Sequence, residues 1–352
     1  MVSVAQSVEP GLGKRRSARA RAHSLRAAGL IVAIGLLAAI FLVSIWVGSK
    51  NIPLTSTWAV LWHNDGSTEA VIIHDLRIPR ALLGVLVGAA LGLSGALMQA
   101  LTRNPLADPG LLGVNMGAST AVVIAIAYLG VSTVTGYVWF AFLGAAAVSV
   151  FVYVLGAAGR AVATPERLVL AGAAISAALY AFNSAVLLLN PLTFNQFRFW
   201  TVGSLANRRM DVLLDVLPFV GVGLVLALAL ARPLNALALG EEAGRALGAH
   251  LGRTRVLGVL AVTLLCGAGT AAAGPIAFVG LLVPHAARLL VGPDQRWALP
   301  YSMVLAPILL LVADVVGRVV IPPGELQVGV VTAFIGAPAF IALCRRRKLA
   351  KL

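Results

Sequence analysis

The sequence contains little charge for its length. Of 352 residues only 11% are charged and 60% are hydrophobic, with a mean hydropathy of +0.95. Soluble domains average about 25% charged and about 45–50% apolar residues, so a water-soluble fold and a disordered chain are both excluded. Because each membrane-spanning helix takes about 20 apolar residues, the chain has room for many spans and little else.

Cysteine, lysine and histidine are scarce or scattered. The two cysteines, Cys266 and Cys344, lie far apart, which excludes a disulfide framework and a cysteine-based metal site. None of the four lysines stands in a Gly-x-x-x-x-Gly-Lys-Ser/Thr loop, so the chain has no P-loop for nucleotide phosphates. The five histidines lack metal-ligand spacing. We predict no metal site, and we predict that the chain is not an enzyme.

The apolar runs predict an all-α, polytopic membrane protein with about ten transmembrane helices in a compact bundle. The predicted spans are 27–48, 80–101, 109–129, 136–158, 166–190, 211–232, 255–273, 276–292, 299–320 and 326–344. The first is too long for a signal peptide and is read as a retained span. Together the spans form one membrane domain, 27–344, between basic tails 1–26 and 345–352.

Two spans begin at helix breakers. The third starts at Pro109-Gly110 and the eighth follows Gly274-Pro275. Breakers at membrane depth are tolerated only where the backbone is buried in protein or lines a water-filled path, so these interruptions favour a transport protein.

The basic residues predict the orientation. With both termini cytoplasmic, 20 of the 27 Lys and Arg residues fall on the inner side, as the positive-inside rule requires. The seven on the outer side are Lys50, Arg77, Arg80, Arg198, Arg208, Arg209 and Arg318. The net charge of +14 therefore reflects topology, and no basic face with groove-reading elements points to nucleic acid.

The second span, GVLVGAALGLSGALMQA, is rich in small residues. Gly84, Gly88, Gly92 and Gly95 recur at close intervals along it. Helices in lipid associate by close backbone approach at such positions, so we predict a tightly packed helix here.

Asp314 is the one clear acid inside an apolar run, LVADVVGRVV. Arg318 follows four residues later on the same helix face, which predicts a local ion pair. A single acid beside a base is a poor proton relay, so we expect the energy for any transport to come from elsewhere.

Two loops have the composition of contact sites. Residues 238–255, ALGEEAGRALGAHLGRTR, predict a short mixed-charge helix on the cytoplasmic side, either a connector or a contact for a soluble partner. On the outer side, Arg77 and Arg80 of RIPR and Arg318 oppose the charge bias. They would bind carboxylates or contact lipid headgroups.

Several segments, in order, resemble one family. Residues 77–118, residues 239–255 (LGEEAGRALGAHLGRTR), residues 274–292 and the stretch ADVVGR…GELQVGVVTAFIGAPAFIALCRRR are similar to the signature of FecCD-like permease subunits of ABC importers for iron-siderophores, haem or cobalamin. The resemblance covers nearly the whole chain after the basic tail and implies a type II ABC importer permease fold.

The resemblance also implies partners. These are a second permease subunit, identical or paralogous, two cytoplasmic ATPases that use the ATP, and an extracytoplasmic binding protein, all at a bacterial plasma membrane. No cofactor is expected on this chain itself. Ferric siderophore is the expected cargo, ahead of haem and cobalamin.

The resemblance assigns roles to particular residues. Arg77, Arg80 and Arg318 match positions that dock the binding protein by pairing with its glutamates. The coupling loop, about 238–254, matches the ATPase contact, with Glu241, Glu242, Arg245, Gly248 and Arg253 as its candidate residues. Asn104 and Leu106 in RNPLADPG match the inner gate.

Two other functions remain open. An ion-gradient-driven secondary transporter or channel is favoured by the broken spans and Asp314. A purely structural membrane subunit is the third reading.

Overall fold

The computed structural model describes residues 11–63, 65–158, 164–246, 248, 250–322 and 324–345. All regular secondary structure in these ranges is helical, which confirms the all-α prediction. The predicted C-terminal tail lies outside them apart from Arg345.

The helices follow one another with short connections. They are α1 (Gly11–Trp46), α2 (Leu54–Trp62), α3 (Thr68–Val71), α4 (Ile78–Thr102), α5 (Val114–Leu129), α6 (Val134–Ala157), α7 (Pro165–Leu189), α8 (Pro191–Thr201), α9 (Met210–Ala229), α10 (Ala231–Ala238), α11 (Glu241–Ala246), α12 (Leu251–Ala273), α13 (Val279–Val291), α14 (Gln295–Val320) and α15 (Val328–Arg345). A π-helical turn, Ile72–Arg77, joins α3 to α4, and a 3-10 turn, Pro109–Leu112, precedes α5.

Each of the ten predicted spans corresponds to one helix. Among the described residues, seven helices are long and apolar enough to cross a membrane. Three further apolar helices are shorter: Val114–Leu129, Val279–Val291 and Val328–Ala342. With 13 residues, α13 extends about 20 Å, less than the roughly 30 Å of a hydrocarbon core.

The two spans predicted to begin at helix breakers are among the short ones. The backbone before α5 is a 3-10 turn that begins at Pro109, and its first amide is capped because Asp108 Oδ1 accepts from Gly110 N at 2.8 Å. The chain before α13 leaves the helix at Gly274, whose φ of +76° favours glycine. Both interruptions shorten the helix that follows.

Helix α1 begins earlier than the predicted first span. It is continuous from Gly11, so the basic segment before residue 27 is helical and extends the membrane span, Arg21–Trp46, at its N-terminal end.

Helix α4 lies at the centre of the bundle. Within its most apolar window, 83% of the residues are buried, compared with 17% for α1 and for α7. It packs against α9, α12, α13 and α14, so most of its surface is in contact with protein. The outer helices instead expose large apolar side chains such as Leu170 and Leu188, as expected for surfaces that meet lipid or another subunit.

Small residues bring α4 against α14. A Cβ added to Gly88 would lie 2.5 Å from Pro307 Cα, and one added to Gly92 would lie 2.5 Å from Ser302 O. Moving one turn forward along α4, from Gly88 to Gly92, moves the contact backward along α14, from Pro307 to Ser302. The two helices are therefore antiparallel and closely packed. The predicted close packing of this span is confirmed.

Gly95 approaches α13 more closely still. An added Cβ would lie 1.8 Å from the carbonyl oxygen of Gly280. Because that atom belongs to the backbone, the helices would have to separate to admit even a methyl group.

We therefore expect Gly95→Ala to destabilise the bundle by about 1–3 kcal/mol, the usual cost of overpacking. The check is the thermal unfolding midpoint of the purified protein in one detergent.

Gly35→Ala in α1 is the matched control, because nothing lies within 4 Å of the added Cβ. Alanine is a better helix former by up to about 1 kcal/mol, so this variant should be neutral or more stable. Equal effects of the two substitutions would contradict the packing account.

Candidate functional site

Three arginines singled out in the sequence come together at one end of the bundle. Arg77 ends the π-helical turn, Arg80 lies in the first turn of α4, and Arg318 lies in the last turn of α14. All three line one cavity. We call this end of the bundle the arginine end.

Asp314 is the buried acid that joins two of these arginines. Its side chain is 1% exposed. Arg80 Nη2 donates to Oδ1 at 2.8 Å, and Arg318 Nη2 lies 2.7 Å from Oδ2. The predicted Asp314–Arg318 pair is confirmed, and the structure adds Arg80 as a second cationic partner.

Arg80 also binds a second acid. Its Nη1 donates to Glu325 Oε2 at 2.7 Å, in the connection between α14 and α15. The Glu325 side chain is 28% exposed, so Arg80 bridges a buried carboxylate and one that reaches solvent.

Arg77 and Arg318 hold the end of α1. Arg77 donates to the carbonyl oxygens of Ile45, Trp46 and Lys50. Arg318 Nη1 donates to Ser44 O at 2.8 Å and to Val47 O at 2.9 Å. The carbonyls of Ser44, Ile45 and Trp46 belong to the last turn of α1, which a helix leaves without intrahelical partners, and those of Val47 and Lys50 follow it.

The burial of these guanidinium groups is incompatible with the interpretation that they contact lipid headgroups. Arg77 is 5% exposed and Arg318 is 2% exposed, so both are enclosed in protein rather than placed among lipid headgroups. Gly48 permits this arrangement, because an added Cβ would lie 2.5 Å from Arg77 Nη2.

The cavity at the arginine end has a volume of about 770 Å³. Its charged lining residues are Lys50, Arg77, Arg80, Arg208, Arg318 and Glu325. Its aromatic lining residues are Tyr137, Phe199 and Trp200. The lining is therefore strongly cationic, with apolar ring surfaces beside the charges.

The sequence interpretation did not single out Arg208. It lies in the connection between α8 and α9, which is held in place because Ser204 N donates to Ala273 O at 2.7 Å and Gly329 N donates to Gly203 O at 3.1 Å. Burial lowers the pKa of Arg208 to about 10, so it stays protonated at neutral pH. Its position on the face where the charge bias disfavours cations is the signal that could have identified it.

The loop predicted as the coupling loop lies at the opposite end, where α14 begins. Asn235 of α10 fastens it: its Nδ2 donates to Asp294 Oδ1 at 2.7 Å, and its Oδ1 accepts from Gln295 N at 2.9 Å. Hydrogen bonds from Arg296 and Asn235 hold the pKa of Asp294 well below its usual range. α10 is thereby fixed to the start of α14.

The predicted short helix is present as α11, with six residues. Glu242 and Arg245 on it are exposed, as is Gly248 beyond it. The side chain of Glu241 lies outside the described residues. Arg253 differs from the prediction: it lies in the first turn of α12, because that helix begins at Leu251 rather than at residue 255.

The two residues predicted for the inner gate lie in the loop after α4, whose last residue is Thr102. Asn104 Oδ1 accepts from Leu106 N at 2.9 Å, which makes a tight Asx turn. Leu106 is 42% exposed, an apolar side chain with room for a partner.

No group of three or more His, Cys, Asp or Glu residues is arranged to hold a metal ion within the described part of the chain.

Asp314→Asn tests the buried network. Removing the charge leaves Arg80 and Arg318 without their shared counter-ion, so we expect a loss of about 3–5 kcal/mol in the free energy of unfolding. The measurement is unfolding of the purified protein in detergent.

Glu325→Gln is the control, because it removes the other acid bound by Arg80 from a partly exposed position. We expect it to cost less than about 1 kcal/mol. A larger loss for Glu325→Gln than for Asp314→Asn would overturn the central place given to Asp314.

Comparison with known proteins identifies the family to which this architecture belongs. The sequence profile of the FecCD transport family matches residues 36–346. The ferric enterobactin transport system permease protein FepD of Escherichia coli is 49% identical over 304 residues, covering 86% of this chain and 91% of the relative. The hemin transport system permease protein HmuU of Yersinia pestis is 36% identical, covering 88% and 94%.

A solved structure shares the fold. A metal-chelate type ABC transporter in an inward-facing conformation superposes with a TM-score of 0.81 at 27% identity, covering 90% of this chain and 99% of that one. With the family profile spanning almost all of the membrane bundle, the chain belongs to the FecCD transport family.

Proposed function

We propose that this chain is the membrane permease of an ATP-driven importer whose cargo is a ferric siderophore complex. The observation that carries the proposal is the match to siderophore permeases, over 86% of the chain for one relative and 80% for another. It forms half of the translocation path, with a second permease subunit, identical or paralogous, forming the other half.

The energy for transport comes from other subunits. Its sequence contains no P-loop, so a pair of cytoplasmic ATPases binds and hydrolyses the ATP. The multi-pass bundle supplies the path, and the termini lie on the cytoplasmic side, in keeping with the charge bias.

The arginine end faces outward and docks the extracytoplasmic binding protein. Arg80 is the direct contact. It already forms an ion pair with the partly exposed Glu325, and a carboxylate of the binding protein would replace Glu325 in that pair. Arg77 and Arg318 shape the rim by holding the end of α1.

The opposite end engages the ATPases. α11 offers Glu242 and Arg245 on an exposed surface, flanked by Glu241, Gly248 and Arg253. Because Asn235 fastens α10 to the start of α14, a displacement of α11 is transmitted to a long helix that crosses the bundle. Asn104 and Leu106 at the same end form the inner gate.

The transport cycle is a switch between two states. ATP binding draws the ATPases together. Their contact with α11 then favours one arrangement of the two permease bundles over the other. The close packing of α4 against α13 and α14 keeps each bundle rigid, so motion is concentrated between the bundles.

The buried acid does not favour the gradient-driven alternative. Both carboxylate oxygens of Asp314 are bound by arginines, and its side chain is 1% exposed. A group that carries protons across a membrane must instead alternate between bound and released states on each side.

Uptake of radiolabelled ferric siderophore tests the function. In cells that lack this chain, the wild-type protein should restore uptake. A variant with residues 241–246 replaced by alternating Ser and Gly should not restore it, because the ATPase contact is lost.

Arg209→Gln is the control, an exposed residue at the arginine end that lies outside the cavity lining. It should restore uptake like the wild type, while the α11 replacement should keep the wild-type unfolding midpoint. Full uptake by the α11 replacement would contradict the coupling role, and no iron uptake with the wild-type chain would contradict the proposed cargo.

A further inference from the structure

The cavity at the arginine end holds more positive charge than its own acids neutralise. Five lining residues are cationic and one, Glu325, is acidic, with Asp314 behind the wall as a second acid. A volume of about 770 Å³ falls in the range of small-molecule pockets, about 300–1,000 Å³.

Most of these cations already have partners in the chain. Arg77 and Arg318 donate to backbone carbonyls of the α1 terminus, and Arg80 is bound to both acids. Their charge contributes to the field in the cavity, but their hydrogen bonds are used within the protein.

Arg208 is different. It is 7% exposed and lines the cavity, and its Nε has no hydrogen-bond partner in the described part of the chain. A buried N–H of a charged group that lacks an acceptor carries a desolvation cost, which an incoming anionic oxygen would offset.

A second buried donor lines the same cavity. Trp200 is 4% exposed, and its indole Nε1 also lacks a partner among the described residues. Buried indole N–H groups usually find an acceptor, so two residues of one cavity lining each carry an unpartnered donor, and a ligand with several acceptor oxygens would satisfy both.

We propose that this cavity binds a small organic anion, with Arg208 as its anchoring cation and Trp200 as a second donor. The rings of Tyr137, Phe199 and Trp200 pack against the apolar part of the ligand. The chemical class is an organic acid that bears carboxylate or phenolate oxygens. The inference rests on the proposed function for the view that this end receives the cargo, but the binding itself needs no partner.

Isothermal titration with citrate tests the site. Citrate serves as the probe because it carries three carboxylates, and the full chain is held in phosphatidylcholine nanodiscs so that no anionic lipid competes. Saturable citrate binding is expected, and Arg208→Gln should weaken it by about tenfold or more, as for loss of a charge-assisted pair. Trimethyl citrate, which has the same skeleton without charge, should not bind.

Arg209→Gln is the matched control, since it removes an equal charge one residue away, outside the cavity lining. Its affinity for citrate should stay within about twofold of the wild type, because exposed charges are screened by solvent. If Arg208→Gln fails to fold, Arg208→Lys and Trp200→Phe replace it, each with an expected loss of several-fold.

Three results would overturn the proposal: no saturable citrate binding, equal losses with Arg208→Gln and Arg209→Gln, or trimethyl citrate binding as tightly as citrate. The uptake assay is independent of the citrate titration. Citrate binding without iron uptake would refute the proposed cargo but not the anion site.

Discussion

The close approach of α4 to α14 and α13 is the constraint on which the rest of the bundle depends. Gly88 and Gly92 leave no room for a Cβ against α14, and Gly95 leaves none against α13, so the backbone of α4 lies in contact with both helices. That contact fixes the register between α4 and α14. About two further turns along the same interface, Arg80 lies beside Asp314, so the charged network is a consequence of the apolar packing.

Both ends of the bundle are connected to this interface. At the arginine end, Arg318 and Arg77 fasten the terminus of α1 to α14 and α4. At the other end, Asn235 fastens α10 to the start of α14. A displacement at α11 is thus carried by long, well-packed helices rather than by loops, which suits a subunit that moves as a rigid body between two states.

The sequence predicted those features that depend on local pattern. Apolar runs located each of the ten helices, and the four-residue spacing of Asp314 and Arg318 predicted their ion pair, since neighbours on a helix face must meet. The mixed composition of 238–255 predicted α11. The predicted start of α12, residue 255, was too late. The helix begins at Leu251, and hydropathy does not detect the polar residues of its first turn.

Features that depend on packing were not predictable in this way. Arg80 meets Asp314 across 234 residues of chain, which no periodicity reveals. The cavity forms where several helices converge, and the unpartnered donors of Arg208 and Trp200 result from that packing. The sequence around these two residues resembles that of any loop near a membrane surface. Charge on the disfavoured side was the only sequence signal at Arg208.

The central claim is that this bundle is a passive conduit driven by separate ATPases. The most direct measurement is accumulation of ferric siderophore in proteoliposomes that contain the permease pair, with and without the ATPases, and with the binding protein supplied outside. Accumulation should require both the ATPases and ATP on their side, and should persist when ion gradients are collapsed. Accumulation by the permease alone, or driven by a proton gradient in the absence of ATP, would contradict the account.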